Sequence, residues 1–245
     1  TSSDVTDDEK PAGLIEISAF ESRVWLEDEL LKEGVVFDSL RNLVNTNPGL
    51  IEKVVNAIKI DQKEKFTALA GALQFNGVLL FVPENVQISA PLQSTYWVPV
   101  DGVASAFHIF VYLEEGASVT YIHEITSPKG IGNDSLNAGL LNVYVGPNAH
   151  LTFIETQTCA ESVINITREI VTVDQDGSID WIFGALGSKL TKNFSDLNLA
   201  GKGSSGKISG FYFTDNGQHL DYDTQQNHLA ANTTSDLLFK GALLD

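Results

Sequence analysis

Glu115-Gly116-Ala117-Ser118-Val119-Thr120-Tyr121-Ile122 is a turn followed by a short alternating strand. The same phrase returns as Pro147-Asn148-Ala149-His150-Leu151-Thr152-Phe153-Ile154, and again as Asp176-Gly177-Ser178-Ile179-Asp180-Trp181-Ile182. Looser copies are Glu84-Asn85-Val86-Gln87-Ile88 and Gly206-Lys207-Ile208-Ser209-Gly210-Phe211. The copies share turn-forming residues followed by β-branched and aromatic residues at period two. The first apolar strand residues are Val86, Val119, Leu151, Ile179 and Ile208, at steps of 33, 32, 28 and 29 residues. A β repeat of that length reads as stacked coils, each needing its neighbour to bury an apolar face. Propeller blades run longer, at about 40 residues with a tryptophan–aspartate signature. No helical pattern interrupts the chain after Val78, which excludes a βαβ fold. The expected class is mainly β, a parallel β-helix.

Upstream of Val78 the pattern is different. Leu14-Ile15-Glu16-Ile17-Ser18 alternates like a short strand. Trp25–Lys32 reads as one amphipathic helix, and Leu40, Leu43 and Val44 share a helical face. Asn47-Pro48 pairs an N-cap residue with proline at the first helical position. Ile51, Val54, Val55 and Ile58 follow at helical spacing, and Phe66, Leu69, Ala70 and Leu73 repeat it. The expected organisation is a disordered acidic tail over 1–13, a mostly helical domain over 14–77 and the β-helix core over 78–245.

The 245 residues are 43% hydrophobic, enough for a sizeable core, and carry a net charge of −17. Phosphate backbones and anionic membranes would repel such a chain, so neither nucleic acid nor membrane is an expected partner. The single cysteine, Cys159, permits no internal disulfide and fits a reducing compartment. No apolar run approaches the roughly 18 residues of a membrane span, and the start lacks a signal pattern. A cytoplasmic location is expected, where the Asn-x-Ser/Thr triplets at Asn133, Asn165, Asn193 and Asn232 are coincidental.

The richest polar stretch runs from Asp215 to His228. On a strand, His219, Asp221 and Asp223 point to one face, a pattern suited to a metal or to acid–base chemistry. It equally fits a solvated outer face with Leu220 and Tyr222 inward. His228 closes the stretch as a further candidate ligand. Cys159 is the one thiol, and it is a sulfur acceptor, one ligand of a shared cluster, or a small buried hydrophobe. Asp174 and Asp176 bring to mind carbohydrate-cleaving β-helices, the alternative function, although Asp176-Gly177 is a turn signal. Gly201–Gly206 lacks the Lys-Ser/Thr of a phosphate loop. No catalytic or cofactor-binding residue is assigned.

Asp180–Phe194, Gly210–Asp215, His219–His228 and Asn232–Leu243 resemble the SufB/SufD family of SUF iron–sulfur cluster assembly, SufD more than SufB. Phe66-Thr67-Ala68-Leu69, Phe81–Val86 and Ala90-Pro91-Leu92 resemble the family's first coils. The resemblance implies a right-handed β-helix flanked by helices. It implies a scaffold subunit rather than an enzyme, working with SufB-like and SufC-like partners. ATPase activity would belong to SufC, and a nascent iron–sulfur cluster would be held by the complex, with no cofactor bound tightly by this chain. Family members continue past the Leu238-Phe239-Lys240-Gly241 segment into further coils, a Cys-x-His-Gly-type element and a helical domain that contacts SufC. Those features have no position in this sequence. Unpaired strand edges at an uncapped end predict self-association, as a homodimer.

Overall fold

The computed structural model describes residues 10–18, 21–58, 65–129, 132–215 and 217–244, without the side chains of residues 74 and 75. Most of the acidic run read as a tail, residues 1–9, lies outside the described residues, as does Asn216. The amino-terminal part comprises β1 (Gly13–Ser18), β2 (Ser22–Leu26), α1 (Asp28–Lys32), β3 (Val36–Ser39), α2 (Leu40–Thr46), α3 (Pro48–Ile58) and α4 (Lys65–Leu73). The strands that follow are β4 (Gln74–Val82), β5 (Leu92–Trp97), β6 (Ala104–Leu113), β7 (Ser118–Thr126), β8 (Ser135–Val145), β9 (His150–Cys159) and β10 (Val163–Val173). The last five are β11 (Ser178–Gly187), β12 (Leu190–Leu199), β13 (Ser205–Thr214), β14 (His219–His228) and β15 (Thr234–Leu243).

The chain is mainly β, a parallel solenoid of about six turns. From β4 onward it alternates between two sheets. One holds β15-β13-β11-β9-β7-β5-β1-β2, the other β14-β12-β10-β8-β6-β4-β3. Among the described residues only β2 and β3 run antiparallel, against β1 and β4, and they close the first end. Strand β1 pairs with β5 in parallel, so it supplies a rung of the solenoid sheet.

The repeat phrase falls into register. Val119 pairs with Leu151 and Leu151 with Ile179. The looser copies slip by two residues. Ile208 lies opposite Trp181, and Gly206 opposite Ile179. Val86 likewise precedes its rung, because Gln87 bridges to Ser118. A slip of two preserves the inward face, so alternation alone does not reveal it. At Gly206 a side chain would meet Leu197 Cδ2 at 2.6 Å, and this close packing keeps the position bare.

One corner of the solenoid is a stack of turns. Asn85, Gly116, Asn148, Asp176, Gly203 and Asn232 all take positive φ, between 52° and 77°. Glycine, asparagine and aspartate tolerate that conformation best. The first five amides donate to the next coil: Asn85 to Glu115 O at 2.8 Å, Gly116 to Pro147 O at 2.8 Å, Asn148 to Gln175 O at 2.9 Å, Asp176 to Lys202 O at 3.0 Å and Gly203 to Ala231 O at 3.1 Å.

Helices α2, α3 and α4 cover the outer face of the seven-stranded sheet, while Leu30 of α1 packs into the main core. Ser39 Oγ accepts from Asn42 N at 3.3 Å and caps α2. Asn47 Oδ1 accepts from Leu50 N at 3.4 Å ahead of Pro48, as the Asn47-Pro48 pair predicts. Val54, Ile51, Val55 and Ile58 pack on Leu79, Phe81 and Phe110. Helix α4 sets Ala70 on Ala106, Ala138 and Leu140, and Phe66 stacks on Phe194 at 5.6 Å. The single helix expected over Trp25–Lys32 is corrected: residues 22–26 form a strand, and only Asp28–Lys32 is helical. Strand β1 offers Ser22–Leu26 a partner, with Leu14 opposite Trp25, and pairing overrides the local pattern.

Candidate functional site

Three places in the solenoid concentrate polar chemistry: the outer edge at β14, the end of β9, and the core between β9 and β12.

At the edge, His219, Asp221 and Asp223 share the outward side of β14, as alternation predicts, while Leu220 and Tyr222 are partly buried. Asp221 pairs with Lys192, and His219 and Asp223 are exposed. His228 stands at odd spacing from the other three. Its Nδ1 lies 2.7 Å from Thr233 Oγ1 and its Nε2 3.0 Å from Ser235 Oγ, which fixes it in the turn to β15. Among the described residues no three His, Cys, Asp or Glu side chains come together as a metal-holding group. Asp174 takes the Tyr144 hydroxyl at 2.7 Å, and Asp176 is a turn residue at φ 52°.

Cys159 ends β9 and is buried, with Sγ 3.8 Å from Ile125 O. Burial, then the negative charge of Glu124, pushes its thiol up to about 12. A thiol so held is neutral at physiological pH and a poor nucleophile. It borders a hollow of about 460 Å³ shared with Lys129, Glu161, Phe213 and Asp215.

The core is the larger surprise. Glu155 and Gln157 occupy the inward parity of Leu151 and Phe153 on β9. Asn165, Thr167 and Glu169 occupy that of Val163 and Val171 on β10, and Asn193 and Ser195 face in from β12. The polar groups satisfy one another, as buried polar groups must. Asn137 Nδ2 donates to Asn165 Oδ1 at 2.7 Å. Asn165 Nδ2 donates to Gln157 Oε1 at 2.7 Å, and Gln157 Nε2 to Thr191 Oγ1 at 2.9 Å. Asn193 Nδ2 and Ser195 Oγ donate to Glu169 at 2.6 and 2.7 Å, and Trp181 Nε1 donates to Glu155 Oε2 at 2.7 Å.

Burial lifts the Glu169 carboxyl to about 7, against the pull of the Ser195, Asn193 and Thr167 hydrogen bonds and the Arg168 charge. Burial also lifts Glu155 well above the carboxylate range, helped by the charge of Glu169. The same effect works on His123, whose ring is pushed down to about 3 and stays neutral. Its Nδ1 lies 2.8 Å from Ser94 Oγ, while Nε2 has no partner among the described residues.

This polar core escaped the reading by residue type, because a polar residue at strand spacing looks like an outward one. The signal was parity: Glu155 and Glu169 stand an even number of residues from the apolar positions of their own strands.

Beyond it the solenoid opens. Tyr212, Leu220, Tyr222, Phe239 and Leu243 border a hollow of about 680 Å³ at the β14–β15 end.

Comparison with known proteins fits this architecture. Residues 97–245 match the family described as SUF system FeS cluster assembly, SufBD core domain. Residues 19–94 match the SufBD protein N-terminal region. A Staphylococcus saprophyticus protein named as an iron–sulfur cluster assembly SufBD family protein is 28% identical over 220 residues, covering 90% of this chain and 47% of the relative. A Staphylococcus aureus (strain MRSA252) protein of the same description is 29% identical over 215 residues, covering 88% and 46%. The chain thus spans about half the length of these curated relatives. With a core-domain match across the coils and an N-terminal match across the helices, this chain belongs to the SufBD family of iron–sulfur cluster assembly proteins.

Proposed function

We propose that the chain serves as a non-catalytic, SufD-like scaffold in a SufBCD-type complex, with SufB-like and SufC-like subunits as partners in the cytoplasm. The observation that carries this reading is the family match, which runs from residue 19 to residue 245 with a break of two residues. The nascent iron–sulfur cluster is cargo of the complex, and ATP hydrolysis belongs to the SufC-like subunit. The burial of Cys159 supports a scaffold over a sulfur-accepting enzyme, since its thiol is held protonated.

Co-purification tests it. A SufB-like and SufC-like pair is expressed with this chain and, separately, with a form extended to the length of the relatives. The extended form is expected to co-purify. If neither form binds, the scaffold reading fails. The acidic outer face around His219, Asp221 and Asp223 then becomes the place to seek a metal or sugar site.

A further inference from the structure

Among the described residues, helices α2, α3 and α4 pack on the seven-stranded sheet and leave the outer face of the eight-stranded sheet bare. Strand alternation sorts the outward residues of that bare face into columns. The central column runs Leu14, Gln93, Ile122, Ile154, Ile182 from β1 to β11. Its three isoleucines are half-buried and follow one another on successive rungs. Two columns over run Trp97, Thr126, Thr158 and Leu186, and Trp97 and Leu186 are 42% and 38% exposed. An apolar track with large exposed side chains beside it marks a binding surface.

Charge narrows the occupant. The outward residues of β1, β5, β7, β9 and β11 include the acids Glu16, Glu124 and Asp180, and no lysine or arginine. Glu124 stands two residues after Ile122 and Asp180 two residues before Ile182, so they flank the track on opposite sides. Arg23 on β2 and Lys207 on β13 stand beyond its two ends, opposite Glu16 and Asp180 in register.

The other sheet shows what fits such a surface. Helix α4 lies across the rungs: Phe66 stacks on Phe194 of β12, and Ala70 packs on Ala106 of β6 and Ala138 of β8. Helix α3 adds a basic flank. Its Lys53 Nζ lies 4.8 Å from the centre of the Phe81 ring and 2.5 Å from Glu114 at the rim. Rungs about 4.8 Å apart make the bare track about 19 Å long, the length of a helix of about 13 residues.

We propose that the outer face of the eight-stranded sheet is a docking site for a basic amphipathic helix of a partner protein. The apolar side of that helix lies along Ile122, Ile154 and Ile182, and its lysines or arginines reach Glu124 and Asp180. A second copy of this chain, at a net charge of −17, would bring like charge to this face. The inference goes beyond the scaffold reading and does not rest on it, because the peptide test below can succeed whether or not SufB-like and SufC-like subunits co-purify.

Isoleucine-methyl NMR and fluorescence titration with synthetic helices test it. The probe carries leucines on one helical face and lysines on its flanks. One control replaces the leucines with glutamine, and the other replaces the lysines with glutamate. The leucine–lysine peptide is expected to bind and to shift the methyls of Ile122, Ile154 and Ile182. Ile154→Glu should weaken it about tenfold or more, even though the variant adds a negative charge. Glu124→Gln with Asp180→Asn should weaken it less and lower its salt dependence. The proposal is overturned if either control peptide binds as tightly, or if the shifted methyls lie elsewhere. It is overturned as well if Ile154→Glu lowers self-association in light scattering, which would make a second copy the occupant. A form extended to the length of the relatives should bind the peptide too. If these methyls are covered there and the peptide no longer binds, the occupant is a segment of the same chain and the proposal fails. Should Ile154→Glu fail to fold, Ile154→Thr, which keeps a β-branched residue in the strand, takes its place with the same expected direction.

Discussion

One inward column of the eight-stranded sheet runs Leu92, Tyr121, Phe153, Trp181, Ile208, Leu237. The first five are fully buried, and Leu237 is 46% exposed. Their chemistry differs little and their backbone pairing not at all. What differs is the next coil. At the first end β2 and β3 turn antiparallel and close the stack. At the other end β14 and β15 have a neighbour on one side only. In a solenoid, a residue's burial is a property of the coil beyond it as much as of its own.

The largest expected effect comes from cutting the same column on either side of that step. Ile208→Ala leaves a void between Trp181 and Leu237 and should cost about 2–5 kcal/mol. Leu237→Ala, one rung further, should cost below about 1 kcal/mol. Urea unfolding midpoints at constant slope measure both. Equal losses would mean that the open end is packed as tightly as the middle, and the contrast would be broken.

Much of this contrast was legible in the sequence. The turn phrases located β7, β9 and β11, and Asn47-Pro48 located α3. The two-residue slips at Val86 and Ile208 were hidden because period two is blind to them. Strand β2 was hidden because its own pattern looks helical and only pairing with β1, Ile17 opposite Ser22 through Gly13 opposite Leu26, makes it a strand. The candidate residues by type fared differently. His219, Asp221 and Asp223 do share a face, but Asp221 answers Lys192 and His228 belongs to a turn. The buried pair of Glu155 and Glu169 needed parity, a comparison of each residue with its own strand, rather than a search for reactive types.

A middling effect is expected at the open edge. Thr234 N donates to Ser204 O and Leu244 N to Thr214 O, so even-numbered amides of β15 face β13 and odd-numbered ones face outward. The free amides form a template for a second copy, and homodimers should appear in light scattering at micromolar concentrations. Leu237→Pro removes one outward donor and leaves the bonds to β13 intact, so it should lower the dimer fraction without unfolding the chain. A chain that stays monomeric throughout would show that the edge protects itself, and the two ends would be alike in solution despite their different burial.

The smallest effect belongs to the ion pairs, which repeat the contrast on the other sheet. Arg168–Asp196 joins β10 to β12 with side chains 17% and 21% exposed, while Lys192–Asp221 joins β12 to the edge strand at 34% and 42%. Solvent screens the second pair more, so Asp221→Asn should cost below about 1 kcal/mol. The melting temperature should fall by less than about 4 °C, and moderate salt should erase the difference. Asp196→Asn strands a less exposed guanidinium and should cost more, with less dependence on salt. If Asp221→Asn instead proved the costlier change, and a divalent cation protected the natural chain but not the variant, the carboxylate would be serving a bound ion. His219, Asp221 and Asp223 would then be a site rather than a solvated face.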